Sequence, residues 1–185
     1  MSFTLRTMRA TDLEQVRAIA IASPESPQWQ PSDYAAYLSP ENSTYNPALL
    51  RTALVAVAPN PNTRTPEEKI LAFAAATLLL DGAQNLCQLD SIAVRPETRR
   101  QGLGAALLHT VLHWAAQNSA RHFSLEVRAG NAPAIRLYQR LGLRPEGRRP
   151  SYYTHPEEDA LILGTPVTAG TPRTQIGTVF HHENH

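Results

Sequence analysis

The residues best suited to chemistry begin at Leu89-Asp90-Ser91-Ile92-Ala93-Val94-Arg95-Pro96, continue through Arg99-Arg100-Gln101-Gly102-Leu103-Gly104-Ala105, and lead into an uninterrupted apolar helical pattern. That order predicts a strand, a turn, a glycine-bearing loop and a helix. Unpaired backbone N–H groups and the positive end of a macrodipole then gather at the helix N-terminus, where they can hold a phosphate. A phosphate-bearing cofactor is the expected ligand. The third glycine of a dinucleotide fingerprint is missing and no Lys-Ser/Thr pair follows, which disfavours both a Rossmann site and a P-loop. Two glycines alone are equally well explained by a turn.

The elements around this loop follow from periodicity. Phe3 to Met8 reads as a first strand, and Thr11-Asp12-Leu13-Glu14 matches a capping box opening a helix through about Ala22. Ser23 to Pro31 is a proline- and serine-rich loop, after which Ser32 is expected to cap a short helix carrying Tyr34, Tyr37 and Leu38. Leu50–Ala58 and Ile70–Leu80 predict two strands joined by an unusually long connection, Pro59 to Lys69, taken as a mobile insertion. Leu86–Val94 is the next strand, and Leu103, Leu107, Val111 and Trp114 mark one face of a helix from Gly102 to about Asn118. Phe123, Leu125 and Val127 alternate with Ser124 and Glu126, so the first three share one face of a strand. By alternation alone, Glu126 is a solvated strand residue. A further helix runs from about Ala132 to Leu141, with Asn131 as its cap and Ile135, Tyr138 and Leu141 turned toward the sheet. Tyr152-Tyr153 and Ala160–Leu163 suggest a closing pair of strands. One domain over residues 1–164 is expected, with a flexible tail over 165–185.

Composition narrows the class. The chain has 185 residues, 42% of them hydrophobic and 18% charged, enough for one compact core without metal or disulfide staples. A formal net charge of +1 gives no reason to expect direct nucleic-acid binding. The single cysteine, Cys87, lies in a strand-like run and reads as a buried structural thiol. His109 and His113 are four apart, but Thr110 stands where a metalloprotease helix carries glutamate, so they read as a solvated face and no metal is expected. Neither a signal-peptide pattern nor a run of eighteen apolar residues is present, and a cytoplasmic protein without a membrane contact is expected.

Taken together, Ser91 to Pro96, Arg99-x-x-Gly102-x-Gly104-Ala105, Leu125-Glu126-Val127-Arg128, Asn131-x-x-Ala134-Ile135-x-Leu137-Tyr138 and Leu141-Gly142-Leu143 resemble the GNAT acetyltransferases. Within that superfamily, Leu125 to Leu143 followed by Arg148-Arg149-Pro150-Ser151-Tyr152-Tyr153 is most similar to the bacterial enzymes that acetylate the N-terminal alanine of a small-subunit ribosomal protein. The strong match covers residues 86 to 163. It implies an α/β fold, a mixed central β-sheet with splayed central strands flanked by α-helices. It also implies acetyl-CoA as cosubstrate, with its pyrophosphate held by Arg99, Arg100, Gln101, Gly102, Leu103, Gly104 and Ala105. The pantetheine arm is expected to pair with the backbone of Ile92, Ala93 and Val94, and Asn131 matches a residue that contacts coenzyme A.

The resemblance further implies that Glu126 is the general base and Tyr138 the general acid that protonates the departing thiolate. The acceptor it implies is a protein N-terminus. An exposed α-amine is about a tenth neutral at pH 7, against well under a thousandth for lysine, so such an acceptor asks little of its base. A small-molecule amine or a lysine side chain is the alternative acceptor, and a non-catalytic coenzyme-A-binding or ribosome-associated module is the alternative of another class. The acceptor-side loop departs from the Phe-Pro-Trp-like element of the relatives, because this chain has Ser26-Pro27-Gln28-Trp29.

Overall fold

Packing two helical layers on a mixed sheet accounts for nearly every apolar residue. The computed structural model describes residues 2–38, 48–59, 68–167 and 179–181. In chain order the elements are β1 (Ser2–Thr7), α1 (Leu13–Ile21), α2 (Pro31–Leu38), β2 (Leu49–Pro59), β3 (Glu68–Leu79), β4 (Leu86–Val94), α3 (Leu103–Gln117), β5 (His122–Arg128), α4 (Ala132–Arg140), β6 (Arg144–Thr154), β7 (Glu157–Pro166) and β8 (Val179–His181). Short 3-10 turns at Ala10–Asp12 and Pro96–Thr98 lead out of β1 and β4. The sheet order is β6-β7-β5-β4-β3-β2-β1-β8. All neighbours are antiparallel except β4 and β5, which α3 joins as a crossover.

Two cores lie on the two faces. Leu103, Leu107 and Val111 of α3 and Tyr138 of α4 pack with Leu89, Phe123, Leu125 and Val127 on one side. Val16 and Ile19 of α1 and Tyr34 of α2 pack with Val55, Val57, Phe73 and Ala75 on the other. β3 is buried on both faces, which is why Ile70 to Ala76 reads as a continuous apolar run. The splayed mixed sheet expected from sequence is present.

One irregularity in β4 matters for the site. Leu89 pairs with Ala76 and Ser91 with Ala75, which leaves Asp90 as an extra residue. Such a bulge re-aims side chains. Asp90 and Ser91 both turn to the α1/α2 face, where Tyr37 donates to Asp90 Oδ2 at 2.9 Å and Ser26 Oγ lies 3.0 Å from Ser91 Oγ. Ile92 packs against the opposite core and Ala93 returns to the α1/α2 side.

Several local expectations are corrected. Thr11 does not cap α1. The Asp12 carboxylate accepts from the Arg9 N–H at 2.7 Å across the 3-10 turn, and the helix starts two residues later than Thr11. Ser32 does not cap α2 either, because Pro31 is already helical and Asp33 accepts from the Gln30 N–H. His109 and His113 are half-buried rather than solvated, with Nδ1 atoms shielded from solvent and without hydrogen-bond partners. Cys87, by contrast, is fully buried as its strand-like run predicts, and burial pushes its thiol well above the ordinary value. The long β2–β3 connection falls on residues 60–67, outside the described residues. Thr165 and Pro166 continue β7 and residues 179–181 pair with β1, so the sheet takes in part of the segment expected as a tail. Among the described residues, no helix is long and apolar enough to cross a membrane.

The entry to α1 is fixed by charge. Arg6 of β1 grips Asp12 with two hydrogen bonds of 2.7 and 2.9 Å and reaches Glu68 of β3 at 2.7 Å. Burial would raise the Asp12 carboxyl, but the Arg6 bonds and the Arg9 N–H outweigh it and hold the group below the ordinary aspartate value. A depressed folded-state pKa stabilises at pH values above the unfolded value of about 3.9 and is lost as pH falls through the folded one. Asp12→Asn is therefore expected to lower stability by about 2 kcal/mol at neutral pH. Urea unfolding of both proteins should show that difference closing below about pH 4.

Candidate active site

β4 and β5 pair over only four residues, from Leu86↔His122 to Leu89↔Leu125, and then part. β4 meanwhile stays on β3 to its end at Val94↔Ala72. The Arg95 N–H donates to Leu71 O at 2.8 Å, which fixes the alternation along β4. Arg95, Ala93 and Ser91 turn their backbone groups to β3, and Ile92 and Val94 turn theirs to the gap. Of the three residues expected to meet an extended ligand, Ile92 and Val94 have the required orientation and Ala93 faces β3. Arg99 Nε donates to Val94 O at 3.2 Å, so Ile92 presents both backbone groups and Val94 its N–H.

The loop that follows delivers α3 to the mouth of the gap. Gly102, at φ 81°, is the N-cap in the left-handed region and no side chain caps the helix. The first helical bond runs from the Ala106 N–H to Gly102 O, which leaves the N–H groups of Leu103, Gly104 and Ala105 without an intrahelical acceptor. An uncapped N-terminus behind a left-handed turn fits a phosphate group, and Arg100, exposed with φ 67°, stands at its edge. Gly104 has a different reason from Gly102. A Cβ there would meet Leu137 Cδ2 at 3.2 Å and Val94 Cγ2 at 3.8 Å, so its missing side chain lets α3 close on α4 and β4. Leu103 is fully buried in the core, Gln101 and Ala105 are half-buried, and Arg99 is bound to Ser23 Oγ at 3.2 Å as well as to Val94 O.

Glu126 and Tyr138 come to the gap from different elements. Glu126 is the first β5 residue past the last β4 pair, and alternation sets its side chain on the α1/α2 face. Its carboxylate is not merely solvated, because Arg149 Nε of β6 lies 2.9 Å from Oε1 and the Tyr152 hydroxyl hydrogen-bonds to it. Tyr138 projects from α4 on the opposite side of the sheet and is 5% exposed. Burial, and then the nearby Tyr153 hydroxyl, push its phenol well above the ordinary value. Asn131 caps α4, its Oδ1 accepting from the Ala134 N–H at 3.2 Å.

Sequence reasoning did not assign four of the residues around these groups. Arg149 and Tyr152 reach Glu126 because β6 breaks register with β7 between Arg149 and Tyr153, an irregularity without a local sequence signature. Tyr37 and Asp90 meet because Asp90 follows the core residue Leu89 and turns to the opposite, α1/α2 face, where α2 brings Tyr37. Tyr37 in turn is stacked on Trp29 with ring centroids 5.2 Å apart. The paired aromatics of the Trp29-to-Tyr37 segment were the available signal.

A family model described as the acetyltransferase (GNAT) family matches residues 16–143. The ribosomal protein bS18-alanine N-acetyltransferase of Escherichia coli K12 is 41% identical over 106 residues, 56% of this chain and 69% of that protein. A Bacillus subtilis relative, provisionally named for the same activity, is 32% identical over 163 residues, 88% of this chain and 95% of that one. The crystal structure of the Escherichia coli ribosomal-protein-S18-alanine N-acetyltransferase superposes with a TM-score of 0.66 at 30% identity, covering 90% of this chain and 94% of that one. Arabidopsis thaliana NAA60 shares the fold, with a TM-score of 0.75 at 20% identity over 91% of this chain and 99% of its own. With the parted strands and the open helix N-terminus, these matches establish that the chain belongs to the GNAT family and is an acetyl-CoA-dependent N-acetyltransferase.

Proposed function

We propose that the enzyme acetylates the N-terminal alanine of ribosomal protein bS18, by direct transfer from acetyl-CoA in a ternary complex. The observation that carries this reading is the similarity to the relatives named for that activity, one of them over 95% of its length, together with a carboxylate and a phenol on either side of the parted strands. Acetyl-CoA supplies the acyl group already activated as a thioester.

Each residue has a defined task. The uncapped α3 N-terminus and Arg100 hold the pyrophosphate, and the backbone of Ile92 with the Val94 N–H holds the pantetheine arm and polarises the thioester carbonyl. Glu126 accepts the proton of the α-amine. A carboxylate is a modest base, which suffices because an α-amine is already about a tenth neutral at pH 7. Arg149 and Tyr152 fix the Glu126 rotamer. Tyr138 keeps its proton at neutral pH because burial disfavours the phenolate, and so it stands ready as a donor to sulfur. Its phenol is less acidic than a thiol, so the donation is a hydrogen bond that strengthens as the C–S bond breaks.

Glu126→Gln should lower kcat by about 100-fold and Tyr138→Phe by about 10- to 100-fold, each with little change in KM for acetyl-CoA. Thiol release under saturating acetyl-CoA measures both, and unchanged turnover in either variant would remove that residue from its role. For the acceptor, peptides bearing the N-terminal sequence of bS18 are expected to react with kcat/KM at least about tenfold above the same peptide carrying only a lysine ε-amine near pH 7. Mass spectrometry locates the acetyl group. Modification of lysine or of small amines alone would replace the present acceptor.

A further inference from the structure

Glu126 is not the only carboxyl at the parting. Asp90 follows Leu89, and Glu126 follows Leu125, immediately after the last β4–β5 pair, so the two occupy corresponding positions on diverging strands. Leu89 and Leu125 both face the α3/α4 core, so alternation sets the Asp90 side chain on the same α1/α2 face that Glu126 occupies. Their surroundings differ in charge. Glu126 is already met by the Arg149 guanidinium. Asp90 is held by hydroxyls, accepting from Tyr37 at 2.9 Å and from Thr77, and no cation among the described residues forms an ion pair with it. The cation that acts on it from further off is Arg51, whose guanidinium lies over the Tyr37 ring, 5.9 Å from its centre.

A half-buried carboxyl without a direct counter-charge is costly to keep, and an arriving cation relieves that cost. Burial indeed holds the Asp90 carboxyl above the ordinary aspartate value. An acceptor α-amine is about nine-tenths ammonium at pH 7, so it must be held as a cation before it can lose a proton. It gains less beside Glu126, whose charge Arg149 already neutralises. The wall next to Asp90 is also rigid. Ser26 is bonded to Ser91, Ser23 to Arg99, and the Gln28 amide to the carbonyls of Ala20 and Ser26 at 3.0 Å, which ties the loop between α1 and α2 to β4.

We propose that Asp90 anchors the acceptor as an ammonium ion, its carboxylate receiving the protonated α-amine at the parting before that proton passes to Glu126. The proposal rests on the reading that the acceptor is an α-amine. Binding changes no covalent bond; the proton leaves the ammonium for the Glu126 carboxylate, and the neutral nitrogen is then free to attack. Asp90 thus selects acceptors by charge, and Glu126 converts them.

The test uses the full chain, acetyl-CoA, a peptide with a free N-terminal alanine, and the same peptide with its α-amine replaced by hydroxyl as a neutral competitor. Asp90→Asn keeps the shape and can still accept from Tyr37. It is expected to raise KM for the amine peptide by about tenfold or more, the loss of one charge-assisted hydrogen bond, while kcat, KM for acetyl-CoA and Ki of the neutral peptide stay within about twofold. Tyr37→Phe, which releases the carboxylate, should show the same selective change at about threefold and decides the matter if the first variant does not fold. Unchanged KM, or a neutral-peptide Ki rising in parallel with it, would overturn the anchor and leave Asp90 a structural residue. If the wild-type enzyme does not acetylate the peptide at all, the α-amine reading itself fails, a result separate from either of these.

Discussion

The fifth pair between β4 and β5 does not form, and the rest of the site depends on that. Parallel pairing would otherwise continue through Asp90–Glu126 and consume the backbone groups of Ile92 and Val94. Unsatisfied backbone groups near a protein interior are costly, so a parting must be enforced by what surrounds it. Two features enforce it here. The bulge at Asp90 shifts the register of β4 on β3, and the bare Gly104 lets α3 seat against Leu137 of α4 and Val94. Arg99 already satisfies the Val94 carbonyl. What is left open is limited to the groups that an extended amide-bearing chain can satisfy, and in the proposed reaction the cosubstrate would complete the sheet.

The sheet also divides the chemistry. α3 and α4 cover one face and bring the anion site and Tyr138, while α1, α2 and the irregular strand β6 border the other with Tyr37, Asp90, Arg149 and Tyr152 around Glu126. In the proposed reaction donor and acceptor would therefore meet edge-on through the gap. Charge follows the same division: the α3 terminus offers partial positive charge without a side-chain cap, and the acceptor face offers two carboxyls in different states of compensation.

Much of this was legible in the sequence, because long periodic elements and the glycine-bearing loop are local signals. β4 was bounded at Leu86 and Val94, and α3 within one residue at either end. The start of α1 was less legible, since Asp12 is held by Arg6 from another element and local capping rules do not see such a partner. The two glycines looked alike in sequence but differ in the fold: Gly102 is needed for its positive φ and Gly104 for the closeness of Leu137. Arg149 and Asp90 were not assigned for a common reason. Both depend on what is distant in sequence: Arg149 reaches Glu126 past a register break between β6 and β7, and Asp90 gains its meaning only from Tyr37, which another element brings to it.

The proton balance explains why groups on both faces are needed. Transfer turns an amine and a thioester into an amide and a thiol, so one proton must leave nitrogen on the acceptor side and one must reach sulfur on the donor side. Glu126 and Tyr138 lie on opposite sides of the sheet, and continuous β4–β5 pairing would separate them. The parting removes that barrier, and Tyr153 stands where its hydroxyl acts on Tyr138 while Glu126 and Arg128 act on it in turn, the Arg128 guanidinium lying 4.1 Å from its ring centre. Burial keeps Tyr138 from persisting as a phenolate, so in the proposed reaction the phenol steadies the departing sulfur through a hydrogen bond and keeps its own proton. The parting of β4 and β5 thus leaves Glu126 and Tyr138 on opposite sides of one open gap, as the proposed transfer requires.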